Sequence, residues 1–534
     1  MSACERAALC FLLLLGLSQT PLYVTAGKIL IWPGEFSHWL NVKVIIDELI
    51  ARGHDVTIIT HSATPSVNTD QSRGYSVEII QVPYTKQELV DTLDKLLKYL
   101  VYDLPNDNLI QAFLNIKELI DLRTEQNQVI CGELFAREDL LEKWRKEQFD
   151  VLLTDPLYMC GELLALKLNL PFIISLRFSI GSVMERLCGQ LPAPPSYVPA
   201  IGLSYTDHMD FPQRVKNVLF ILSQDILFKL LVMVKWDHIY TEFLGKPTTL
   251  CETMGKADIW LIRTYWDFEY PRPLLPNFKF VGGLHCKPAK PLPKEMEDFV
   301  QSSGDDGIVV FSLGSMIRNL SNERANTIAS ALGQIPQKVL WRYKGEKPET
   351  LAPNTRIYEW IPQNDLLGHP KTKAFITHGG TNGIYEAIYH GVPMVGLPLF
   401  ADQPDNINHM KTKGAAVMLD FNKMETKDLK QAISDVINNP SYKESMMRLS
   451  RIHHDQPMKP LDQAVYWIEF VMRNKGAKHL RVEAHNLTWY QYHCLDVAAF
   501  LLSIIALVVF IFVKTCSWLF RKCFRKTPAK SKKE

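Results

Sequence analysis

The stretch between Trp360 and Gln403 constrains the fold of this chain more than any other segment. It holds two short apolar runs, one around Phe375 and one from Val392 to Leu397, with a helix-forming segment between them. His378 and two glycines follow the first run directly. Short apolar runs that end in glycine are typical of buried strands in a parallel sheet. The stretch therefore predicts a strand, a glycine turn, a helix and a second strand.

The glycine turn and the helix after it have the features of a ligand site. Paired glycines let backbone N–H groups approach a ligand, and a helix N-terminus favours negative charge. His378, Asn382 and Glu386 are four residues apart, so they share one face of the predicted helix. The second strand leads to Asp402 and Gln403 at the same edge of the sheet. The pattern fits a phosphorylated ligand that carries hydroxyl groups. The structural alternative is a turn between strand and helix that binds no ligand.

A similar strand–helix–strand unit opens the chain after residue 26. Lys28 to Trp32 and Asp55 to Thr60 are its strands, and His38 follows the first of them. A further apolar run, from Phe149, ends at Asp155. Because parallel strands bind ligands at their carboxyl ends, His38 and Asp155 are predicted on one rim of a doubly wound sheet. A carboxylate there would stabilise a protonated imidazole; a loop histidine and a helix-capping aspartate are the structural alternative.

A second sheet is predicted from residue 307, after a linker at 287–306 that is rich in proline and lysine. Its first strand ends at Ser312, and a later strand carries Arg342 to the same rim. In the first half, residues 83–144 and 192–236 are apolar and helical without a polar cluster. Packing, a pocket for a lipophilic molecule and a membrane-facing surface all fit those two stretches.

The two ends of the chain predict a single-pass membrane protein with its bulk in the lumen. Residues 1–26 contain a short apolar run followed by small residues, which is typical of a secretory signal. Residues 497–513 are uncharged and, as a helix of ~25 Å, long enough to cross a membrane. The basic tail, 514–534, is therefore assigned to the cytosol. Residues 476–496 form a lumenal juxtamembrane segment.

Short motifs and cysteines add to this topology. Lys530 and Lys532 are similar to a dilysine signal for retention in the endoplasmic reticulum, and Asn319 and Asn486 begin glycosylation sequons. The lumenal cysteines show neither a CxxC pair nor a zinc-binding spacing, and domains of this size need no disulfide scaffold. Free buried thiols are therefore expected. The cysteines concerned are Cys131, Cys160, Cys188, Cys251, Cys286 and Cys494.

The order of motifs from Trp360 through Gln403 resembles the signature of the UDP-glycosyltransferases. Over nearly its full length the chain is similar to the animal UDP-glucuronosyltransferases, most like their second family. The resemblance implies the α/β fold called GT-B, in which two Rossmann-like domains face a cleft. It assigns residues 27–286 to an acceptor-binding domain and 307–450 to a UDP-sugar-binding domain. Residues 451–475 would be helical and cross back to the first domain.

The resemblance also implies a reaction and the residues for it. Glucuronic acid would pass from UDP-glucuronic acid, with inversion, to a hydroxyl of a small lipophilic acceptor such as a phenol, steroid or xenobiotic, which is a detoxifying step. His38 is the implied general base and Asp155 its acidic partner. The implied donor-binding residues are Ser312, Arg342, Trp360, Gln363, His378, Gly380, Asn382, Glu386, Asp402 and Gln403.

Several alternatives stay open. Another UDP-hexose, glucose or galactose, fits the same fold, and so does a lapsed transferase that binds lipophiles or modulates a partner. Arg263 could contact a donor carboxylate or form a structural ion pair. No Asp-x-Asp motif occurs in the sequence, so no metal cofactor is expected. The chain carries 59 basic and 57 acidic residues, which gives no indication of nucleic-acid binding; homo- or hetero-oligomers with related transferases are open.

Overall fold

The computed structural model describes residues 26–68, 74–176, 181–317 and 320–524. Almost all of the predicted signal sequence, the sequon residue Asn319 and the retention residues Lys530 and Lys532 lie outside the described residues. By chain contacts, the protein divides into a large unit up to Arg481 and a smaller one from Val482. The large unit contains two parallel sheets.

The first sheet has seven parallel strands in the order β3-β2-β1-β4-β5-β6-β7. Its strands are β1 (Lys28–Trp32), β2 (Asp55–His61), β3 (Ser76–Ile80), β4 (Val151–Thr154), β5 (Phe172–Leu176), β6 (Ile259–Ile262) and β7 (Phe278–Phe280). Strand β1 pairs with both β2 and β4, so the direction of winding reverses between β1 and β4. The central strands are buried on both faces, which explains their unbroken apolar sequences.

Helices cover both faces of this sheet. They are α1 (Ser37–Ala51), α2 (Lys86–Lys98), α3 (Leu109–Ala136), α4 (Glu138–Glu147), α5 (Gly161–Leu168), α6 (Val183–Leu187), α7 (Phe211–Phe228), α8 (Val234–Leu244) and α9 (Leu250–Met254). Short π-helical segments continue α2 and α7, at Tyr99–Asp103 and Lys229–Met233, and a 3₁₀ turn spans Leu104–Asn106. The apolar stretches predicted to be helical are therefore helical in large part.

Two disulfides correct the expectation of free thiols. Cys131 pairs with Cys160, and Cys188 pairs with Cys251. Each bridge ties a helix to an element that is distant in sequence, with Cα atoms 5.8 Å and 4.1 Å apart. The pairing follows from tertiary packing of the helical layer, which the cysteine spacing does not encode. Cys286 and Cys494 are free thiols.

The second sheet has six parallel strands in the order β10-β9-β8-β11-β12-β13. They are β8 (Ile308–Ser312), β9 (Lys338–Arg342), β10 (Thr355–Tyr358), β11 (Thr372–Thr377), β12 (Met394–Gly396) and β13 (Ala416–Met418). Its helices are α10 (Lys294–Gln301), α11 (Asn322–Leu332), α12 (Gln363–Leu367), α13 (Thr381–His390), α14 (Gln403–Thr412) and α15 (Thr426–Asn438). Helix α10 lies inside the predicted linker and buries Phe299 and Val300 against this sheet.

Two helices follow the second sheet, α16 (Pro440–His454) and α17 (Pro460–Asn474). The prediction of a helix over residues 451–475 is therefore wrong at 455–459, where Pro457 and Pro460 separate the two helices. Helix α17 buries Ala464, Val465 and other apolar residues in the same core as α1, on the first sheet. The chain thus returns from the second sheet to the first.

The smaller unit, from residue 482, contains α18 (Trp489–Tyr492), α19 (Leu495–Phe524) and a 3₁₀ turn at Glu483–Asn486. Asn486, of the second sequon, is exposed on that turn. Helix α19 is long and apolar enough to cross a membrane, and all of it is exposed. It extends beyond the predicted 497–513 at both ends. In the large unit, the continuous helical stretch Phe211–Leu244 passes the same test of length and composition, although it is partly buried.

Candidate active site

His38 and Asp155 meet at the reversal point of the first sheet. Strands β1 and β4 are neighbours, and the chain places His38 in the first turn of α1 and Asp155 directly after β4. The imidazole Nδ1 lies 2.6 Å from Asp155 Oδ2. Gly34 lies between them and the end of β1. A Cβ there would stand 2.8 Å from His38 Cβ and 3.1 Å from Asp155 Oδ2, so this close approach needs glycine.

The Asp155 carboxyl is fully buried and held in its charged form. Burial alone raises the pKa of Asp155, but His38 and the guanidinium of Arg263 outweigh it and hold the pKa below its usual value. Arg263 Nη2 lies 3.8 Å from Asp155 Oδ2, and the backbone N–H of Leu157 donates to Oδ1 at 3.1 Å. Arg263 therefore forms an ion pair with Asp155, which is the structural alternative left open by the sequence.

The second sheet presents a matching edge. Strands β8 and β11 are neighbours there, so Ser312 at the end of β8 and His378 just after β11 stand side by side. Gly314 has a φ of +78°, and a Cβ on it would lie 2.6 Å from the His378 ring. Glycine is thus required both for the backbone and for the packing of His378. Gly380 precedes α13 and has no side chain to cap that helix.

Glu386 and Gln363 form a pair on the helices of this edge. Gln363 Nε2 donates to Glu386 Oε2 at 2.5 Å. Burial raises the pKa of Glu386 to about 7, although the bond from Gln363 acts in the opposite direction. Additional hydroxyl donors, such as those of a ribose, would stabilise the charged carboxylate and lower this pKa.

An exposed aromatic surface borders the same edge. Trp360 is 63% exposed, and the guanidinium carbon of Arg342 lies 5.1 Å from the centroid of its ring. Arg342 also donates to the backbone carbonyl of Gly314. Arg342 therefore supports both the loop after β8 and the indole, a role that the sequence did not indicate.

Asp402 and Gln403 begin α14, and both also hold their own loop. Gln403 Oε1 accepts from the backbone N–H groups of Leu399 and Phe400, at 2.9 Å and 3.2 Å. Asp402 Oδ2 accepts from Asn406 Nδ2 at 2.9 Å. The loop after β12 is thus fixed by the side chains that sequence analysis assigned to a sugar.

A cleft of about 690 Å³ brings these residues together. Every predicted catalytic or donor-binding residue except Asp155 lines it, and the buried Asp155 contacts His38. The lining residues predicted from sequence are His38, Ser312, Arg342, Trp360, Gln363, His378, Gly380, Asn382, Glu386, Asp402 and Gln403. Among the residues that the structure describes, no cluster of three or more His, Cys, Asp or Glu side chains could hold a metal ion.

Two lining or supporting residues were missed by sequence analysis. Asn41 Nδ2 donates to Asn382 Oδ1 at 2.9 Å, which joins the helix of His38 to the helix of the second sheet. His285 Nε2 lies 3.1 Å from the carbonyl oxygen of Asn382. Asn41 could have been found from the sequence, because it lies one helical turn after His38 and so shares its face of the helix. His285 gave no signal, since it depends on how the two sheets pack together.

Known proteins resemble this chain closely. Residues 27–530 match the family described as "UDP-glucoronosyl and UDP-glucosyl transferase". Human UDP-glucuronosyltransferase 2B15 is 59% identical over 510 residues, which cover 96% of each chain. Mouse UDP-glucuronosyltransferase 2A1 is 59% identical over 512 residues, or 95% of this chain and 96% of the mouse protein.

Solved glycosyltransferases share the fold. A UDP-glucosyltransferase from Polygonum tinctorium superposes with a TM-score of 0.58 at 17% identity, covering 84% of this chain and 99% of that one. Spinosyn forosaminyltransferase gives a TM-score of 0.57 at 18% identity, covering 84% and 100%. These similarities confirm the predicted GT-B architecture. The match over residues 27–530 and the relatives at 59% identity show that the chain belongs to the UDP-glucoronosyl and UDP-glucosyl transferase family and is a UDP-sugar-dependent glycosyltransferase.

Proposed function

We propose that the protein transfers glucuronic acid from UDP-glucuronic acid to a hydroxyl group of small lipophilic acceptors, with inversion at the anomeric carbon. One observation carries the proposal. A single cleft is lined both by His38, which contacts the buried carboxylate of Asp155, and by the residues of the second sheet that are assigned to the donor. The identity of the sugar rests on the relatives, whose names specify glucuronosyl transfer.

The transfer is a direct displacement. The acceptor oxygen forms a bond to the anomeric carbon while the bond from that carbon to the β-phosphate oxygen breaks. The acceptor proton passes to His38 Nε2, because Nδ1 faces Asp155. Asp155 stabilises the resulting imidazolium, and UDP leaves with the electron pair of the broken bond. A donor with an α-linked sugar thus gives a β-glycoside.

The second sheet binds the departing nucleotide. Trp360 stacks on the uracil, and Glu386 accepts hydrogen bonds from the ribose with Gln363 beside it. The diphosphate lies at the N-terminus of α13, where the helix dipole and the donors around it offset the growing negative charge. His378, Gly380, Asn382 and Ser312 surround it. Asp402 and Gln403 contact the sugar hydroxyls, and Arg342 supports the loop beside the phosphates. No resident metal is part of this proposal.

A panel of donors tests the function. The full chain, purified in detergent, is given UDP-glucuronic acid, UDP-glucose or UDP-galactose together with simple phenols and steroids. We expect β-glucuronides as the main products. A preference for glucose or galactose would change the donor, and an absence of transfer with every pair would favour a lapsed transferase that binds lipophiles.

Loss of the Asp402 carboxylate separates sugar binding from nucleotide binding. In Asp402→Ala we expect weaker binding of UDP-glucuronic acid and almost unchanged binding of UDP, because only the sugar supplies the partner of that carboxylate. A hydrogen bond to a charged group is worth about 1.5–3 kcal/mol, so the affinity for the sugar nucleotide should fall by about 10- to 100-fold. Calorimetric titration with both ligands measures the difference.

Trp360→Ala is the matched control for that titration. It should weaken UDP and UDP-glucuronic acid together, since both carry the uracil that the indole would stack on. If Asp402→Ala weakened UDP as strongly as the sugar nucleotide, Asp402 would belong to the loop of Asn406 and not to the sugar site.

The orientation in the membrane is part of the proposal. The exposed apolar helix α19 supports anchoring, and the basic tail supports a cytosolic C-terminus with the catalytic unit in the lumen of the endoplasmic reticulum. Protease added to sealed microsomes should remove only the tail beyond Lys514. Digestion of the whole chain without detergent would contradict this orientation. Assembly with a second copy or with related transferases remains a prediction.

A further inference from the structure

A side chamber of about 60 Å³ adjoins the cleft on the side of the first sheet. It shares Glu35, Arg123 and Tyr158 with the lining of the cleft, and leucines of α2 and α3 form much of its remaining wall. Tyr158 connects the two spaces: its ring centroid lies 6.4 Å from that of His38 and 5.4 Å from the guanidinium carbon of Arg123. The chamber is therefore an extension of the acceptor side of the cleft.

One wall of this apolar chamber is polar. The Glu35 side chain is 8% exposed, and its Oε1 accepts from Thr64 Oγ1 at 2.8 Å. Its other oxygen, Oε2, is buried and accepts no hydrogen bond of normal geometry from any residue in the described part of the chain. A buried carboxylate oxygen without a partner is costly, so a donor from a ligand would stabilise it.

His61 stands beside this carboxylate. Its Nε2 lies 3.6 Å from Glu35 Oε1, while Nδ1 is buried and has no hydrogen-bond partner within the described ranges. Burial, with repulsion from Arg123, lowers the pKa of His61 to about 4, so the ring is neutral at physiological pH. The chamber thus holds two buried polar atoms that a ligand could satisfy.

The charges in the chamber favour a neutral ligand group. Burial raises the pKa of Glu35, and the polar groups of Ser66 and Thr64 together with the charge of Arg123 oppose that rise. Because Arg123 already supplies a positive charge, a cationic amine would meet repulsion there. A hydroxyl can donate to Glu35 Oε2 without adding charge.

We propose that this chamber is a subsite for a second hydroxyl group, and that the acceptors it favours are lipophilic molecules with two hydroxyls. One hydroxyl reacts at His38, and the other donates to Glu35 Oε2 in the chamber while the apolar body contacts the leucines. The inference rests on the proposed glucuronosyl transfer and adds the class of acceptor.

A matched pair of acceptors tests the inference. One is a rigid bisphenol, and the other is the same molecule with the distal hydroxyl replaced by hydrogen. The readout is the ratio of their kcat/KM values, which cancels any general effect on folding or on donor binding. The wild-type protein should favour the bisphenol. In E35L the ratio should fall by about 10- to 100-fold, because the distal hydroxyl loses its acceptor and is left buried without a partner.

Further variants separate this role from a structural one. E35Q keeps an acceptor oxygen and should lose less of the ratio than E35L, and H61F should lower it moderately. E125Q removes an exposed carboxylate on the same helix as Arg123, outside the chamber lining, and should leave the ratio unchanged. A Glu35 variant that fails to fold does not remove the test, because the wild-type comparison needs no variant.

Three outcomes would overturn the inference. They are equal kcat/KM values for the two acceptors in the wild type, an unchanged ratio in E35L, and a preference for an analogue with a cationic aminomethyl group in place of the distal hydroxyl. Failure of the proposed function looks different: the wild type would then transfer glucuronic acid to neither acceptor.

Discussion

His38→Ala should lower the rate of transfer to hydroxyl acceptors by about 10² to 10⁴-fold, because it removes the group that takes the acceptor proton. Binding of UDP-glucuronic acid should persist, since the residues assigned to the donor stand on the second sheet. The measurement is kcat with a saturating phenol, together with a titration of the donor. His208→Ala is the matched control, because the His208 side chain is 95% exposed.

The same experiment can contradict the mechanism. Unchanged turnover of a phenol by His38→Ala would remove this residue from the reaction. A parallel loss of donor binding would mean that the variant damages the cleft. Such damage could spread through the helix of His38, because that helix also carries Asn41, which donates to Asn382.

Asp155→Asn should have an effect of similar size, a fall of about 10² to 10⁴-fold in kcat. The substitution keeps the shape of a fully buried side chain but removes the charge that stabilises the imidazolium of His38. It also leaves Arg263 beside a neutral amide. For comparison, removing the corresponding charge in a serine-protease triad lowers kcat by about 10⁴-fold.

The pKa of Asp155 determines the pH range over which its charge supports the reaction. The pKa of Asp155 is held below its usual value, so in the wild type its charge persists until the pH falls below the range of an ordinary aspartate, around 4. The loss of activity in Asp155→Asn should therefore extend across the neutral range. Asp139→Asn, an exposed carboxylate, is the control. An Asp155→Asn protein with normal kcat would show that His38 needs no anionic partner.

Much of the fold was predictable because the sheets are parallel and buried. Strands β1 and β4 are apolar apart from one end residue, and β11 carries the apolar run from Ala374 to Ile376. A glycine or a polar residue lies within two positions of the carboxyl end of each strand. Ligand sites collect at those ends where the winding reverses. His38 and Asp155 could therefore be placed together from sequence before any contact between them was known.

Features set by packing between distant segments could not be predicted. The disulfide from Cys131 to Cys160 joins residues on separate elements, and no spacing rule pairs them. The bond between Asn41 and Asn382 depends on how the two sheets face each other. The break between α16 and α17 is different, because Pro457 and Pro460 carried the signal for it.

The contacts of Gln403 and Arg342 show a second limit of prediction from sequence. Both line the cleft as expected, yet Gln403 Oε1 accepts from two backbone amides of its own loop, and Arg342 donates to the carbonyl of Gly314. A sequence motif gives the place of such residues in the site. It does not separate contact with a ligand from support of the loop, since a polar side chain suits either role.

The configuration of the product tests the central claim most directly. If an oxygen activated by His38 attacks a donor held across the cleft, one displacement must invert the anomeric carbon. UDP-α-glucuronic acid and a phenol, incubated with the purified full chain, should give only the β-glucuronide, as read from the anomeric proton coupling by NMR. An α-glucuronide, or a mixture of both anomers formed by the enzyme, would contradict direct displacement by the His38-activated acceptor.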